Sequence, residues 1–485
     1  MAAVAFGAFF LGSCAKDGYD DDERFNSGVN NTQVEAVKAD GISIVASADG
    51  KTQTITWPVV MGAGGYKVRL IDTGNPGEPI INDSIVDGCT VTCSRVEDVN
   101  YQLTVLALGD NARGNSDATE TTIKEFTTFT PTYRTIPAGV NLNDWFAENP
   151  TPTDSVGVNL NYDLEAGATY TLSQVLDFGV QAVTLRSNSK SNHGTINYSG
   201  EASITFEAAF NLKYVDIDCS GMEVSSTNHG IFAFSKSPVG TTAKAIDAAT
   251  YKWEGQIIET PVTFINCNVK NLKSYFFWDN QQKVCALTML IDGCLVHMAP
   301  EKSFAGGVFW TNKGGHINDL TVSNSTFYMK PSCEFDYKYF YQAGGVSAHE
   351  IFVSDASTNT LTYKNSTFYH VTWNNGQWGN YNRMQGRTWS YWVMTDCIFY
   401  DCSTAGSVPR RFLHGQAYAS SPANKTFNNN TYMKSDGTFQ DPQNYDESGT
   451  IIEEDPVFAN PEAGDFHISG ATQVARQTGD PRWLP

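Results

Sequence analysis

The chain has 485 residues, of which 41% are hydrophobic and 17% are charged, and its formal net charge is −20. This balance is typical of a folded protein with more than one domain and excludes a largely disordered chain. Because binding to nucleic-acid phosphates needs a basic surface, the acidity argues against a nucleic-acid partner. The 41 glycines, 22 tyrosines and 28 phenylalanines favour strands and turns over helices.

The N-terminal residues form an apolar run, residues 2–11, followed by Gly-Ser and then Cys14. The run is too short to span a bilayer, and no lysine or arginine precedes it. Residues 1–14 resemble the end of a bacterial lipoprotein signal peptide, which implies lipidation of Cys14. The acidic residues 20–23, within a flexible tether at 15–33, resemble the surface-export signal of glycan-foraging Gram-negative bacteria. The resemblance implies a lipid-anchored protein of the outer membrane that faces the cell exterior.

Nine cysteines follow the lipidation site, an odd number with irregular spacing. This argues against a framework of disulfides. Cys89 and Cys93 are close enough to form a disulfide, and the sequence leaves that pairing open.

Residues 34–128 contain short runs in which apolar and polar residues alternate, a pattern that predicts half-buried strands. Three of these runs are TQTITWPVV (52–60), GYKVRLID (65–72) and YQLTVLAL (101–108). The positions of Trp57, Tyr66 and Tyr101 resemble those of a fibronectin type III sandwich. Such modules act mostly as spacers, and residues 129–139 are predicted to be the linker that follows.

From residue 140 onward the sequence repeats. VSNSTFYMK (322–330) is nearly the same as YKNSTFYHV (363–371), and variants of this step occur on both sides. Taken as one position, the Asn or Asp of each step recurs at intervals of 26, 32, 41, 31 and 33 residues: Asn266, Asp292, Asn324, Asn365, Asp396 and Asn429. Repeats of this length indicate a solenoid or a related array.

A second apolar strand recurs between these steps, and the segments that contain it are 230–237, 274–281, 307–314, 350–357, 380–387 and 410–417. Two or three short strands per repeat, without amphipathic helices, predict a parallel β-helix. In stacked coils, an Asn or Asp at a corner can bond to its counterpart in the next coil and tolerates left-handed backbone. The column is therefore interpreted as structural, and Cys267, Cys294 and Cys397 beside it as buried free thiols.

Near the C-terminus, DPVFANPEAGDFHISG (455–470) resembles the closing coil of pectate-lyase-like β-helix proteins. Residues 140–485 are accordingly similar to the pectin-lyase-like superfamily. The predicted fold class is all-β, a right-handed parallel β-helix preceded by the small fibronectin type III-like β-sandwich. The domain pairing also resembles surface lipoproteins of bacterial pectin-utilisation systems. The superfamily includes lyases, hydrolases, esterases and binding proteins, so the resemblance does not select an activity.

The favoured hypothesis is that the protein binds an acidic, pectin-like polysaccharide. Residues 329–350 and 372–392 read as long insertions rich in aromatic residues, Asn and Gly, which are typical of binding loops. Aromatic rings supply platforms for sugar rings, and cationic side chains bind uronate carboxylates. The candidate ligand-binding residues are Lys313, Trp373, Trp378, Arg387 and Trp389.

The alternative is a calcium-assisted polysaccharide lyase that cleaves uronate polymers by β-elimination. This reaction needs a base beside the proton removed and a cation to neutralise the carboxylate. The candidate catalytic residues are Arg383, Arg410, Arg411 and His414, and the candidate calcium ligands are Asp279, Asn312 and Asp355.

Binding is favoured over the lyase because no lyase motif can be matched residue by residue. Hydrolase and esterase motifs are missing as well. A structural or adhesive surface protein is a third alternative. The expected partners are a polysaccharide, the outer membrane and other surface proteins of glycan utilisation, and calcium is a candidate cofactor.

Overall fold

The computed structural model describes residues 28–239, 255–311, 314–343, 358–380, 390–413, 424–438 and 445–485. The chain divides into two compact units, Met1–Phe129 and Thr130–Pro485. Strands dominate both units, which confirms the predicted all-β fold class. Within the described ranges, no helix is both long and apolar enough to cross a bilayer.

The first unit is a fibronectin type III-like sandwich of two antiparallel sheets. Its strands β1–β7 are Ser43–Ala46, Thr52–Thr56, Ala63–Asp72, Ile81–Val86, Thr90–Ser94, Asn100–Gly109 and Thr122–Thr127. One sheet has the order β1-β2-β5 and the other β4-β3-β6-β7. Trp57 packs edge-on against Tyr66 in the core, with ring centroids 5.5 Å apart. The Tyr101 hydroxyl accepts a hydrogen bond from the Val96 backbone N–H at 3.0 Å, which ties a loop to the sandwich. Cys89 and Cys93 are both free thiols.

The second unit is a parallel β-helix. Strands β8–β22 are Arg134–Ile136, Leu160–Leu164, Thr169–Leu172, Val175–Asp177, Val183–Ser187, Gly194–Gly200, Ser203–Phe206, Phe210–Lys213, Val215–Met222, Gly230–Phe234, Gln256–Ile258, Val262–Ile265, Asn268–Leu272, Tyr275–Trp278 and Val284–Asp292. Strands β23–β36 are Leu295–Met298, Phe304–Thr311, His316–Ser323, Thr326–Tyr328, Tyr337–Ala343, Asn359–Lys364, Thr367–Tyr369, Gln377–Asn380, Ser390–Thr395, Ile398–Tyr400, Lys425–Asn428, Thr431–Met433, Phe458–Asn460 and Asp465–Ile468.

Helices are short and few among the described residues. The α-helices α1–α3 are Leu142–Glu148, Val408–Phe412 and Ala471–Arg476. Single 3-10 turns occur at Ala39–Gly41, Asn111–Arg113, Pro461–Ala463 and Pro481–Trp483.

Successive coils place their strands in three parallel sheets, which have nine, seven and eleven strands within the described ranges. The nine-stranded sheet has the order β10-β13-β16-β20-β23-β26-β29-β32-β34, and the seven-stranded sheet has the order β11-β14-β17-β21-β24-β27-β30. Ten strands of the eleven-stranded sheet have the order β33-β31-β28-β25-β22-β19-β15-β12-β9-β8. The remaining strand, β18, pairs with β22. Side chains stack inside the coils, as Phe368 and Phe399 do with ring centroids 5.0 Å apart. The core therefore extends along the whole stack.

The corner column exists, but one of its predicted members is wrong. The members of the column other than glycine have left-handed backbone, and they are Asn266, Asn324, Asn365, Asp396 and Asn429. Between the first two, the corner residue is Gly293 (φ 65°) and not Asp292, which lies one position earlier and pairs with Ser323. Corner N–H groups bond along the stack, as Gly293 N–H does to the Ser323 carbonyl at 3.1 Å. The position in the coil therefore determines the left-handed backbone conformation. Glycine adopts that conformation at the corner as Asn does.

Side chains at the corners, or next to them in the case of Asp292, bond between coils as predicted. Asn324 Nδ2 donates to Asp292 Oδ1 at 2.7 Å, and Asn429 Nδ2 donates to Asp396 Oδ1 at 3.0 Å. These bonds satisfy polar groups that the stacking removes from water. The column is structural in the described coils.

The cysteines beside the corners are buried free thiols, as predicted for Cys267, Cys294 and Cys397. The thiols of Cys267 and Cys294 donate to the carbonyls of Leu212 and Phe264, each at 3.4 Å. Burial raises the pKa of Cys267 and of Cys397 well above the ordinary value. Both thiols are therefore held protonated in the core.

The second recurring strand is present at Gly230–Phe234, Tyr275–Trp278 and Phe304–Thr311. The prediction is wrong at 410–412, since Val408–Phe412 is a helix, and residues 414–417 lie outside the described ranges. Ser407 Oγ caps this helix by accepting from the Arg410 backbone N–H at 3.3 Å.

The described parts of the segments predicted as insertion loops, 329–343, 372–380 and 390–392, include strands of the coils. They contribute strands β27 and β30 to the seven-stranded sheet. Residues 350–357 and 381–387 lie outside the described ranges.

The coil stack begins inside the predicted linker, 129–139. Arg134–Ile136 pairs in parallel with Leu160–Leu164. The buried Arg186 donates to Asp163 Oδ1 at 2.7 Å and to the Thr130 carbonyl at 2.6 Å. This segment is ordered because its strand completes the eleven-stranded sheet and because a buried ion pair fixes its start.

Replacing Gly293 by Ala should destabilise the β-helix strongly. A Cβ there would collide with Asn266 Oδ1, and the alanine would also have to adopt left-handed backbone. Gly449→Ala is the matched control, because Gly449 also has positive φ (69°) but open space around it. We expect the control to cost about 1–2 kcal/mol and Gly293→Ala clearly more, measured by thermal unfolding.

The double variant Asn266→Gly/Gly293→Ala separates the two effects. It removes the amide that the new methyl group would strike, so it should recover most of the difference between Gly293→Ala and the control. Equal losses in Gly293→Ala and Gly449→Ala would show that contact with Asn266 is unimportant.

Candidate functional site

Five of the residues predicted for the site lie within the described ranges: Asp279, Trp373, Trp378, Arg410 and Arg411. The others lie outside those ranges: Cys14, Asn312, Lys313, Asp355, Arg383, Arg387, Trp389 and His414.

Trp378 is not a sugar platform, and that prediction is wrong. Its side chain is 0% exposed and stacks on Phe340, with ring centroids 4.5 Å apart. It also contacts Phe368 and Phe399 edge-on. Because strand β30 joins the seven-stranded sheet, the indole points into the coil interior and serves as core.

Trp373 is half-buried at the turn that precedes strand β30. Its ring stacks on His370, with centroids 4.5 Å apart. The Nε1 atom is buried without a hydrogen-bond partner among the described residues. One face of the indole is thus occupied by His370, which leaves little flat surface for a sugar ring.

Asp279 is fully buried and closes a tight turn after strand β21. Its Oδ1 accepts from the Gln281 N–H at 3.0 Å, and its Oδ2 accepts from the Gly315 N–H at 3.2 Å. A carboxylate used in this way stabilises backbone, and the prediction that it binds calcium gains no support from this geometry. In the described ranges, no group of three or more His, Cys, Asp or Glu side chains could hold a metal ion.

Arg410 and Arg411 lie on helix α2, which contacts strand β30. The guanidinium of Arg411 donates to the Ala405 carbonyl through Nη2 at 3.1 Å. Burial, with a contribution from Arg410, lowers the pKa of Arg411 below its usual range. Arg410 Nε is buried without a partner in the described part of the chain. These contacts do not link either arginine to Asp279, so the described residues do not assemble the predicted lyase centre.

A different surface groups cationic and polar side chains around a cavity, namely the outer face of the nine-stranded sheet. The strand register aligns one outward position of successive coils, which is occupied by Thr171, Asn197, Asp218 and Lys270 in the earlier coils and by His297, Tyr328, Tyr369 and Tyr400 in the later ones. Between these two sets the pairing is irregular, with a register shift after Val269. The neighbouring inward column is apolar and includes Val296, Phe327 and Phe368. The outward column changes from polar to aromatic along the stack.

The aromatic part of this face is covered by the C-terminal strap, residues 455–485. Residues 455–470 are not a closing coil: β35 and β36 form an antiparallel hairpin. Phe466 packs against Tyr328 and Tyr369, with ring centroids at 4.8 and 5.2 Å. Tyr328 and Tyr369 are each only 8% exposed as a result.

The polar part remains open and forms the polar groove, a cavity of about 240 Å³. Its lining residues are Asn268, Val269, Lys270, Asn271, Leu295, His297, Tyr328, Lys330 and Ala463. A second cavity of about 300 Å³ adjoins it at His297 and Lys330. That cavity continues along the strand ends through residues 298–301 and 332–335.

Asp216 organises one side of the polar groove. Its Oδ1 lies 2.8 Å from His193 Nδ1 and accepts from Asn268 Nδ2 at 2.7 Å. Its Oδ2 accepts from Lys270 Nζ at 3.3 Å. Burial would raise the pKa of Asp216, but the hydrogen bonds from His193 and Asn268 lower it below its ordinary value. The charged carboxylate therefore holds Lys270 and Asn268 in place.

His297 forms the floor of the polar groove. Its ring stacks on Tyr328, with centroids 4.8 Å apart. Burial, together with a smaller contribution from nearby Lys330, lowers the pKa of His297 to about 4. Nδ1 accepts from the Asn271 N–H at 3.3 Å. The neutral ring therefore carries its proton on Nε2, so it is a hydrogen-bond donor at neutral pH.

Reasoning from the sequence missed this groove, although a signal was present. Asn268-Val-Lys270, Leu295-Val-His297 and Thr326-Phe-Tyr328 each place an apolar residue between two outward ones. Aligning these triplets would have placed Lys270 next to His297 and Tyr328. The aromatic residues and arginines drew attention to another side of the coils.

Three family models match successive parts of the chain, each described as a domain of unknown function: DUF4992 at residues 2–174, DUF4957 at 168–330 and DUF5123 at 361–483. No curated protein matches the chain.

Two solved structures show distant likenesses. The structure of FN3tt mut is 15% identical with a TM-score of 0.16, and the match covers 20% of this chain and 98% of that one. Pectate lyase PelI from Erwinia chrysanthemi, in complex with tetragalacturonic acid, is 12% identical with a TM-score of 0.18, and the match covers 83% and 85%. The fold assignment rests on the strand pairing described above.

Replacing Trp378 by Ala should act on stability. Removing a fully buried indole from contact with Phe340 and Phe368 should cost about 3–5 kcal/mol. Tyr391→Ala is the control, since Tyr391 is 40% exposed, and it should change the unfolding temperature little. A stable Trp378→Ala variant that loses only carbohydrate binding would contradict the assignment of Trp378 to the core.

Proposed function

We propose that the protein binds an acidic, pectin-type polysaccharide in the polar groove. The observation that carries the proposal is the grouping of Lys270, Lys330 and His297 on one open sheet face. All three line one cavity, together with the amides of Asn268 and Asn271. An open sheet face lined by such side chains suits an extended polymer better than a compact small molecule.

The chemistry of the polar groove favours an anionic sugar. Lys270 and Lys330 supply ammonium groups for carboxylates, whereas the amides and the His297 donor suit hydroxyl groups. The whole chain carries a net charge of −20, so these lysines stand out against an acidic background. Local cations can hold a polyanion where the average charge would repel it, and the interaction should weaken as salt is added.

Binding is favoured over β-elimination by the state of Lys270. Its Nζ lies 3.3 Å from Asp216 Oδ2, in an ion pair at the side of the polar groove. An ion-paired ammonium group has no lone pair with which to accept a proton, and this makes Lys270 a binding group. Calcium enters the proposal as a bridge between the protein and uronates, to be tested with the polymer present.

The proposed cellular setting follows the N-terminal sequence. Cys14 would carry a lipid in the outer membrane, and the tether and the fibronectin type III-like unit would act as a spacer toward the exterior. Polymeric glycan and other surface proteins of a glycan-utilisation system are the partners expected there.

Removing either groove lysine should weaken binding to polygalacturonate. Because each would remove a charge-assisted hydrogen bond, we expect Lys270→Ala and Lys330→Ala each to lower affinity roughly tenfold. Affinity electrophoresis and calorimetry, with and without calcium, would measure this. Lys364→Ala is the matched control, since Lys364 is an exposed lysine at the end of β28 in the eleven-stranded sheet.

The absorbance of unsaturated uronates, followed in the same samples, should stay flat. A calcium-dependent rise would replace the binding proposal with the lyase. Retardation that survives loss of both groove lysines would place the binding surface elsewhere.

A further inference from the structure

We propose that the polar groove recognises the end of a polysaccharide chain, and that the C-terminal strap imposes this selectivity. The inference rests on the proposed function and specifies it further. It follows from how the outer face of the nine-stranded sheet is divided between open and covered coils.

The strap is a fixed part of the β-helix. Thr326 Oγ1 donates to Asp480 Oδ2 at 2.7 Å and accepts from Trp483 Nε1 at 2.7 Å. Arg482 Nη2 donates to the Gly293 carbonyl at 2.6 Å. These bonds join the strap to two successive coils across about 150 or more residues of sequence. A segment held by these bonds is a fixed steric barrier on the sheet face.

The turn Pro461–Ala463 stands at the boundary between the two halves of the face. Ala463 lines the polar groove beside Tyr328 and Lys330. Glu462 Oε1 accepts from Ser332 Oγ at 2.7 Å, which fixes the turn to the strand ends. The approach is close, since a Cβ on the following Gly464 would lie 2.8 Å from Tyr328 Oη. The turn therefore lies directly against Tyr328, at the edge of the polar groove.

On the other side of the polar groove, the sheet lies open among the described residues of its unit. Thr171 and Asn197 are exposed at the outward positions of earlier coils, and Asp218 is half-buried. With neighbouring strands about 4.8 Å apart, the five strands from β10 to β23 offer a track of roughly 19 Å. The track is therefore open at one end and closed at the other.

An extended chain on this track must stop where it meets the strap. A polymer that continued in a straight line would collide with Pro461–Ala463. The terminal unit would then face His297, Lys330 and Glu462, with the second cavity beside it. His297 is a neutral donor, Lys330 a cation and Glu462 a carboxylate. Together they can distinguish a terminal sugar unit, which has an additional free hydroxyl, from an internal unit.

The test uses polygalacturonate fractions of several defined mean lengths and calorimetry with the full mature chain. For recognition of chain ends, one protein binds per chain at every length, so each doubling of length halves the amount bound per gram. For recognition of chain interiors, the amount bound per gram stays constant, which would overturn the inference while leaving the proposed function intact. No binding to any fraction would overturn both.

The contacted end is identified by reducing the reducing-end sugar to its alditol before titration. Loss of affinity would assign the closed end of the track to the reducing end, and unchanged affinity would assign it to the non-reducing end. Glu462→Ala should alter affinity for short oligomers several-fold. Glu453→Ala is its control, because Glu453 is exposed and lies outside both cavities. Equal behaviour of the two variants would count against a role for the strap.

Discussion

The coils from Asn266 to Asn429 all pass a corner at which the backbone is left-handed, and the β-helix depends on that corner. The turn directs one N–H along the stack, where the next coil supplies a carbonyl. Each coil thus fixes the height and register of its neighbour by main-chain bonds. The three sheets, the stacked phenylalanines and the alignment of outward side chains follow from that register.

The same alignment explains why the polar groove is confined to one stretch of one sheet. Outward residues on successive strands lie above one another, so a change of residue type along the stack becomes a change of surface character. Where the outward residues are Tyr328, Tyr369 and Tyr400, the face buries aromatic surface and holds the strap. Where they are Asp218, Lys270 and His297, the face stays open. The covered part and the open part of this face therefore both follow from the alignment of outward residues on successive strands.

Much of this fold could be predicted from the sequence, because the repeat restricts residue type at the corner and at the inward positions. Asn324, Asn365 and Asn429 were found by that rule, and Gly293 was missed because it satisfies the backbone without the side chain. Helix α2 was mistaken for a strand because its apolar residues match the repeat, whereas the cap at Ser407 decides the local structure.

The candidate site was harder to predict, since exposure is a property of the assembled fold. Trp378 lies in a Gly- and Asn-rich segment that looks like an exposed loop, yet the coil turns its indole inward. Lys270 and Lys330 are ordinary lysines in sequence. Their place in an open groove depends on the C-terminal strap, which lies more than a hundred residues later in the chain. The strap covers the neighbouring strands and leaves the surface around both lysines open.

The buried cysteines have a consequence for the study of the β-helix itself. Cys219, Cys267, Cys294 and Cys397 lie in different coils, and each is a free thiol shut away from solvent. A thiol-alkylating reagent can react with such a group only when its own coil opens. In a stack where each coil contacts mainly its neighbours, the order in which these thiols react would record the sequence of opening from either end. Alkylation of the native cysteines would therefore report the order in which the coils unfold.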